Sequence, residues 1–444
     1  MKVIIHRGTK EIGGSCIEVS TASTRLIFDL GMPLVAPWNK TEKLDSSGYP
    51  KMSTRELLDL GVLPPVSGLY DNADGSPVTA VVLSHPHQDH YGLLGHIRRD
   101  LPVYLSDGAR RIIAASDIFL PLKAKIQHPV VVEDRRPVVI GDITVTPYLV
   151  DHSAFAAMSF LIEGEGARVF YTGDFRAHGR KWKLFPKFLR SAPQGVDCLL
   201  MEGTTLGRPE QRMETEAEIE DKIVEIARRR RGVKLIYASG QNVDRLVSFY
   251  KAAQATGGQF VVDLYTAYML EALGHDSIPR PSAAFPRMRV LYTKFLMRKI
   301  AASGMSELFA RYRPFEIDAR EIARAPGKNF VMYRESLTAD VEEIGDFNDS
   351  VLIYSLYEGY RREASFQKVQ AFLDKHGIVI ESAHTSGHAG ASDLKKLAEA
   401  LKPRVLVPIH TFEPGKYAGL WGRVQTLGDG QALDLACVPA GVKS

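Results

Sequence analysis

Residues 84–90 read Ser-His-Pro-His-Gln-Asp-His, directly after the apolar run Ala-Val-Val-Leu of residues 80–83. Three imidazoles and a carboxylate, on His85, His87, Asp89 and His90, thus leave a single strand end within six residues. A strand fixes the direction of the loop that follows it, and core packing gives no reason to crowd histidines, so this spacing points to a metal-binding loop. One loop cannot complete two coordination shells, and any fold the chain adopts must bring further donors to the same place. Three candidates stand in the same strand-then-ligand context: His152 in Val-Asp-His-Ser (150–153), Asp174 in Tyr-Thr-Gly-Asp (171–174) and His410 in Val-Pro-Ile-His (407–410).

The rest of the chain divides by texture. Over the first 200 residues, short apolar runs at 3–5, 16–19, 25–28, 80–83, 143–145, 159–162, 168–171 and 198–201 read as strands, with one helical stretch after the histidine cluster (92–99) and another at 54–60. Around Glu214 the pattern changes to alternation: helix 214–231, strand 234–238, helix 243–255, strand 259–264, then strand 350–354, helix 365–375 and strand 377–380. Residues 280–334 carry twelve Lys or Arg against four acids, with eight aromatics interleaved. That mixture suits a single-stranded nucleic acid, whose phosphates and bases it could meet, and equally suits a solvated basic surface over an aromatic core. The three cysteines, Cys16, Cys198 and Cys437, are odd in number and far apart, which argues against a disulfide scaffold or thiolate zinc site and fits a reducing, cytoplasmic compartment. No uncharged apolar run approaches the roughly 20 residues of a membrane span, so no membrane partner is expected.

The H-x-H-x-D-H loop with His152, Asp174 and His410 resembles the metallo-β-lactamase superfamily. Leu-Met-Glu-Gly-Thr-Thr (200–205) and Thr-Ser-Gly-His-Ala (385–389) resemble the acidic and S-G-H motifs of its β-CASP nuclease branch, which includes ribonuclease J. The resemblance implies an α/β fold, an αββα metallo-β-lactamase sandwich with an inserted β-CASP α/β cap domain. Residues 1–206 and 379–444 would form the core and residues 207–378 the cap. The chain's end at Ser444 leads us to expect no additional C-terminal domain.

By position, the resemblance implies that His85, His87 and His152 hold one Zn²⁺, that Asp89, His90 and His410 hold a second, and that Asp174 bridges both, with Mn²⁺ as the alternative metal. Two adjacent metals can activate a shared water and grip a phosphate oxygen, so a bridging hydroxide is the implied nucleophile. Asp89 enters this set as a catalytic residue as well as a ligand. Asp29, closing Ile-Phe-Asp-Leu-Gly (27–31), is implied to support the ligand loop from behind. His388 is implied to assist the leaving oxygen, a task suited to an imidazolium near neutral pH, and Glu202 to orient it.

Ser239, Gly240 and Arg245 lie in Ala-Ser-Gly-Gln-Asn-Val-Asp-Arg (238–245), a turn that opens a helix and resembles a phosphate-meeting turn of the branch. Ser355, at another strand end, and Ser386 and Gly387 of the S-G-H turn complete the expected substrate contacts. Residues 354–360 depart from the family pattern, lacking the small proline-containing turn expected there. The reading that follows is a di-zinc hydrolase cleaving phosphodiester bonds of single-stranded RNA, by internal or 5′-end attack, in an oligomeric state the sequence does not give. A histidine at position 410, where DNA-processing relatives are expected to carry an aliphatic residue, favours RNA over DNA. The alternatives are a DNA nuclease of the same branch, a small-molecule metallo-hydrolase acting on a thioester or lactone, and a non-catalytic nucleic-acid-binding subunit.

Overall fold

Strands that bury both faces need apolar residues at every position, with alternate side chains feeding different cores. Residues 26–28, 80–82 and 198–201 do this: Leu26, Phe28, Ala80, Val82, Cys198 and Leu200 enter one core, while Ile27, Val81, Leu199 and Met201 enter others. The computed structural model describes residues 1–37, 39–44, 46–71, 75–120, 124–209 and 212–438. It divides into two units, one of Met1–Ala177, Lys181–Arg212 and Gly387–Ser444, the other of His178–Arg180 and Met213–Ser386.

In the first unit, a mixed sheet runs in the order Ala432–Asp434, Lys2–Arg7, Cys16–Ser20, Arg25–Phe28, Ala80–Val82, Pro102–Leu105 and His128–Val131. A second runs Val405–Ile409, Cys198–Glu202, Ala167–Tyr171, Met158–Gly164, Ile143–Leu149 and Val138–Ile140. Their facing side chains, among them Val19, Phe28 and Val82 against Phe160, Val169 and Leu200, make a shared core. Phe28 stands 5.6 Å from Phe160 and 5.8 Å from Tyr171, centroid to centroid. Helix Asp107–Ser116 covers the outer face of the first sheet through Ala109 and Ile113, and helices Leu184–Arg190 and Ala391–Leu401 cover that of the second. The result is the four-layer αββα sandwich.

The second unit is a parallel sheet in the order Glu316–Ile317, Met288–Leu291, Gln259–Asp263, Asn329–Met332, Lys234–Tyr237, Val351–Tyr354 and Val379–Ser382. Its first helix, Glu216–Arg229, begins with a capping box in which Thr215 and Glu218 satisfy each other's backbone donors. Two expectations need correcting. Residues 92–99 form no helix: a helical turn at Gln88–Tyr91 and a short 3₁₀ turn at Leu94–His96 stand there, because the histidine loop itself turns helical early. The division between units falls after 212 and 386 instead of 206 and 378, since strand Val379–Ser382 pairs with Val351–Tyr354 and so extends the second unit's sheet. No helix among the described residues is long and apolar enough to cross a membrane.

Candidate metal centre

Strand direction explains why residues far apart in sequence meet. Ala167–Tyr171, Cys198–Glu202 and Val405–Ile409 are parallel neighbours, so Asp174, Glu202 and His410 emerge at the same end. Ile143–Leu149 is two antiparallel steps from Ala167–Tyr171, runs the same way, and delivers His152 there too. In the first sheet Phe28 pairs in parallel with Val82, which sets Asp29 beside Ser84. Gly31 is required by this closeness: a Cβ there would lie 1.6 Å from the carbonyl oxygen of Asp89, so the Asp29–Gly31 turn backs directly onto the histidine loop. Asp29 and His410 both hold positive φ, 60° and 51°, a strain typical of functional positions.

Three groups of donors result, the third of which, Asp174, Glu202, His388 and His410, shares Asp174 and His410 with the second. His85, His87 and His152 form a triangle of rings with centroids 4.7–4.9 Å apart, and His152 Nε2 lies 3.2 Å from His87 Nδ1. His152 Nδ1 donates to the carbonyl of Gly387 at 2.5 Å, which leaves Nε2 as the lone-pair nitrogen facing its neighbours. Burial pushes His87 down to about 4 and His85 and His152 well below the ordinary imidazole range, so all three are neutral, the form that ligates a metal.

Asp89, His90, Asp174 and His410 make the second group. Asp174 Oδ2 stands 3.2 Å from His90 Nε2 and 3.7 Å from His85 Nε2, and its Oδ1 stands 3.6 Å from His410 Nδ1, so this carboxylate touches both groups. His410 Nε2 is 3.4 Å from Asp89 Oδ2. Burial disfavours charge on Asp174, yet His410, His90 and His388 outweigh it and hold the carboxyl well below its usual range. On His90 burial is likewise outweighed, by Asp174, Asp29 and Asp89, and its pKa is raised.

Behind these groups sits a layer of orienting hydrogen bonds. Asp29 Oδ2 accepts from His90 Nδ1 (2.8 Å), Ser84 Oγ (2.6 Å) and Tyr171 OH (2.5 Å), while Oδ1 accepts from the Ser84 amide (2.7 Å). Thr204 Oγ1 pairs with His410 Nδ1 at 2.8 Å. Glu202, fully buried, accepts from the Thr204 amide at 2.9 Å and faces His388 Nδ1 at 3.4 Å. Burial lowers the His388 pKa, but Glu202 and Asp174 together raise it above the ordinary value. Ser84, Tyr171 and Thr204 escaped the sequence reading. Thr204 alone left a local signal, two residues past Glu202.

The donor set fits a metal on the atoms' own account. His85 Nε2, His90 Nε2 and both Asp174 oxygens are buried without a hydrogen-bond partner, and leaving such atoms unsatisfied is costly unless a cation takes them up. Borderline nitrogen donors with carboxylates are the ligand chemistry of zinc and its neighbours.

The description "Beta-lactamase superfamily domain" matches residues 60–236, and "Zn-dependent metallo-hydrolase RNA specificity domain" matches residues 378–415. The chain is 24% identical to a ribonuclease J of Sinorhizobium meliloti over 86% of this chain and 67% of the relative. It is 23% identical to ribonuclease J 1 of Streptococcus pyogenes over 84% and 63%, and 21% identical to a ribonuclease J of Helicobacter pylori over 92% and 56%. These matches support a likeness to the metallo-β-lactamase superfamily and, within it, to the ribonuclease J-like β-CASP branch. The chain spans from just over half to about two thirds of the length of these relatives. A crystal structure of a protein of unknown function from Enterococcus faecalis V583 shares the fold, with a TM-score of 0.76 at 20% identity, covering 97% of this chain and 99% of that one.

The remaining expected residues are placed differently. Arg245 is fully buried in the second unit: Nε and Nη2 pair with Glu216 at 3.1 and 3.0 Å, and Nη1 donates to Ser355 Oγ and to the Ala383 carbonyl. Arg245 and Ser355 are therefore corrected from substrate contacts to internal partners, their polar atoms consumed where substrate cannot reach. Gly387 spends its carbonyl on His152, and Ser386 accepts from His178 Nε2 at 2.9 Å through its own. Ser239 stays exposed in the turn before helix Val243–Ala255, where its Oγ accepts from the Gln241 amide at 3.2 Å; Gly240 packs against Tyr265 and Thr266.

Part of the basic stretch 280–334 builds the second unit, while Arg298, Arg313, Arg320 and Arg324 stay exposed. Arg289 donates to the carbonyls of Phe315 and Glu316, Arg287 to that of Gly258, and Arg334, Lys294 and Arg311 pair with Asp263, Glu343 and Glu271. Tyr312, Phe330 and Tyr333 are buried.

Proposed function

We propose that the chain is a metal-dependent ribonuclease that hydrolyses phosphodiester bonds of single-stranded RNA, with two zinc ions per chain. The observation that carries this reading is the buried, unsatisfied donor set of His85, His90 and Asp174 at the strand ends. The names of the similar proteins and the RNA-specificity description support the substrate class. His85, His87 and His152 would hold one ion, Asp89, His90 and His410 the other, and Asp174 would serve both. Bound there, two divalent cations polarise phosphoryl oxygens and make an attacking water acidic enough to react near neutral pH.

The chain's own groups do the rest. Asp29 and Thr204 keep His90 and His410 in one ring orientation, and the Gly387 carbonyl fixes the tautomer of His152. His388, one face towards Glu202, holds a proton for the departing ribose oxygen. Glu202 is its positioning carboxylate.

The test is cleavage of a 5′-labelled single-stranded RNA by metal-quantified protein, with Asp174→Ala and a DNA of the same sequence in parallel. RNA fragments that vanish in the variant support the reading, and their ladder or mononucleotide pattern separates internal from end-directed attack. Faster cleavage of the DNA overturns the RNA assignment, and no cleavage by protein holding two metals overturns the nuclease reading.

A further inference from the structure

The turn after strand Val351–Tyr354, which reads Leu-Tyr-Glu-Gly-Tyr (356–360) where the resemblance led us to expect a proline-containing turn, carries a surface cleft. The cleft measures about 500 Å³ and is lined by Tyr357, Arg361, Arg362, Phe366, Gln367 and Gln370, with Glu358 and Gly359 completing it. It lies past the carboxyl end of a strand in a parallel sheet, the place where open α/β sheets take ligands. Tyr357 and Tyr360 are 46% and 43% exposed, a large aromatic area left in water beside a cleft. Their rings meet edge to face, 5.6 Å apart at 88°.

Three details give this surface a definite chemistry. The Tyr357 ring lies over the backbone of Gly359, where an added Cβ would come within 2.3 Å of Cε1, so the ring is seated and not free-swinging. The Arg361 guanidinium lies 5.7 Å from the ring centroids of both Tyr354 and Phe366 and is 3.2 Å from Glu358 Oε2, so it is held in place among the residues that line the cleft. Glu358 is further occupied by Ser382 Oγ at 2.7 Å. Arg362 is exposed, and with Arg361 it outnumbers the single lining carboxylate. A seated aromatic face beside one held and one exposed cation, with amide side chains within the same cleft, suits a flexible polyanion with stackable bases.

We infer that Tyr357 and Tyr360 form a stacking platform for bases of single-stranded RNA, with Arg361 and Arg362 meeting the adjoining phosphates. This rests on the reading of the chain as a ribonuclease. The platform belongs to the second unit alone and adds substrate contacts that the expected set of Ser239, Gly240, Arg245, Ser355, Ser386 and Gly387 does not include.

The test uses the full metal-loaded chain and 5-iodouridine-containing oligoribonucleotide, which crosslinks on illumination to aromatic rings stacked on it. The expected crosslinked peptide contains Tyr357 or Tyr360. Tyr357→Ala/Tyr360→Ala should raise KM for oligouridylate cleavage about 10-fold per lost stack with kcat kept, and Arg362→Ala should flatten the salt dependence of KM. Gly359→Ala, which must displace the Tyr357 ring while keeping both tyrosines, should raise KM in the same direction. RNA cleavage by wild type with an unchanged KM in the double variant and crosslinks elsewhere overturns the platform and leaves the ribonuclease reading intact. Absence of both cleavage and crosslinking overturns the two together.

Discussion

Two buried polar clusters in this molecule look alike by composition and behave as opposites. In the first unit, His85, His90 and Asp174 are sealed from water with donor atoms that no protein group satisfies. In the second, Arg245 and Glu216 are equally sealed, yet the guanidinium is met on every side by Glu216, Ser355 and the Ala383 carbonyl, and Ser248 Oγ donates to Glu216 at 3.0 Å. An interior tolerates the second arrangement because its charges answer one another, and tolerates the first only where a cation is to be added. Satisfaction, more than burial or charge, separates a site from a strut.

The sharpest way to break this comparison is to remove the shared carboxylate. Asp174→Ala should lose bound metal, measured by elemental analysis, and RNA cleavage by roughly 10³-fold or more. The variant should still fold, read as an unchanged far-ultraviolet circular dichroism spectrum, so that the loss of metal is not a loss of structure. Arg245→Met should do the reverse: it strands Glu216 in the interior and should cost about 3–5 kcal/mol in urea unfolding. The folded fraction should keep its metal content. If Arg245→Met depleted metal while unfolding normally, the division between the clusters would fail.

An intermediate effect sharpens the first cluster from within. Asp29 is fully buried and offers its carboxylate to His90, Ser84 and Tyr171. Asp29→Asn should weaken metal affinity by about 10–100-fold, the usual cost of losing a partner that orients a ligand, and a chelator competition titration reads it directly. Glu202→Gln should instead spare metal and lower turnover through His388, so the two carboxylates behind the site separate by readout.

These clusters also show what a sequence carries. The H-x-H-x-D-H spacing was legible because all its donors share one loop, and the strand-end contexts of His152, Asp174 and His410 added the rest of the group. Tyr171 and Thr204 were not, because a hydroxyl's partner is set by strand neighbours far off in the chain. Arg245 and Ser355 misled for the converse reason: a polar residue beside a strand-end turn reads identically whether it faces solvent or a buried glutamate. The basic stretch, which the sequence left open between two readings, divides: Arg287, Arg289 and Arg334 are claimed by carbonyls and an acid that the parallel sheet brings near, while Arg313, Arg320 and Arg324 stay exposed. The αββα layering was recoverable because alternate residues of Arg25–Phe28 and Cys198–Glu202 feed separate cores.

A third cluster asks whether satisfaction or location matters, because it lies in the same unit as the metal centre but is built like the Arg245 network. Glu18 takes Arg25 at 2.9 and 2.8 Å and His6 at 3.0 Å. Burial alone would raise its pKa, but the Arg25 hydrogen bonds and then His6 prevail and lower it from 4.5 to about 2. A carboxyl depressed on folding stabilises above its unfolded pKa and loses that contribution as pH falls through the folded value. Glu18→Gln should therefore cost about 1–2 kcal/mol at neutral pH, and the gap to wild type should close between about pH 4.5 and 2. Followed by unfolding at stepped pH, that closing gap with metal content unchanged would place Glu18 with the struts. Metal loss in Glu18→Gln would instead mean that proximity to the site, and not the satisfaction of each polar atom, governs what a buried charge does in this fold.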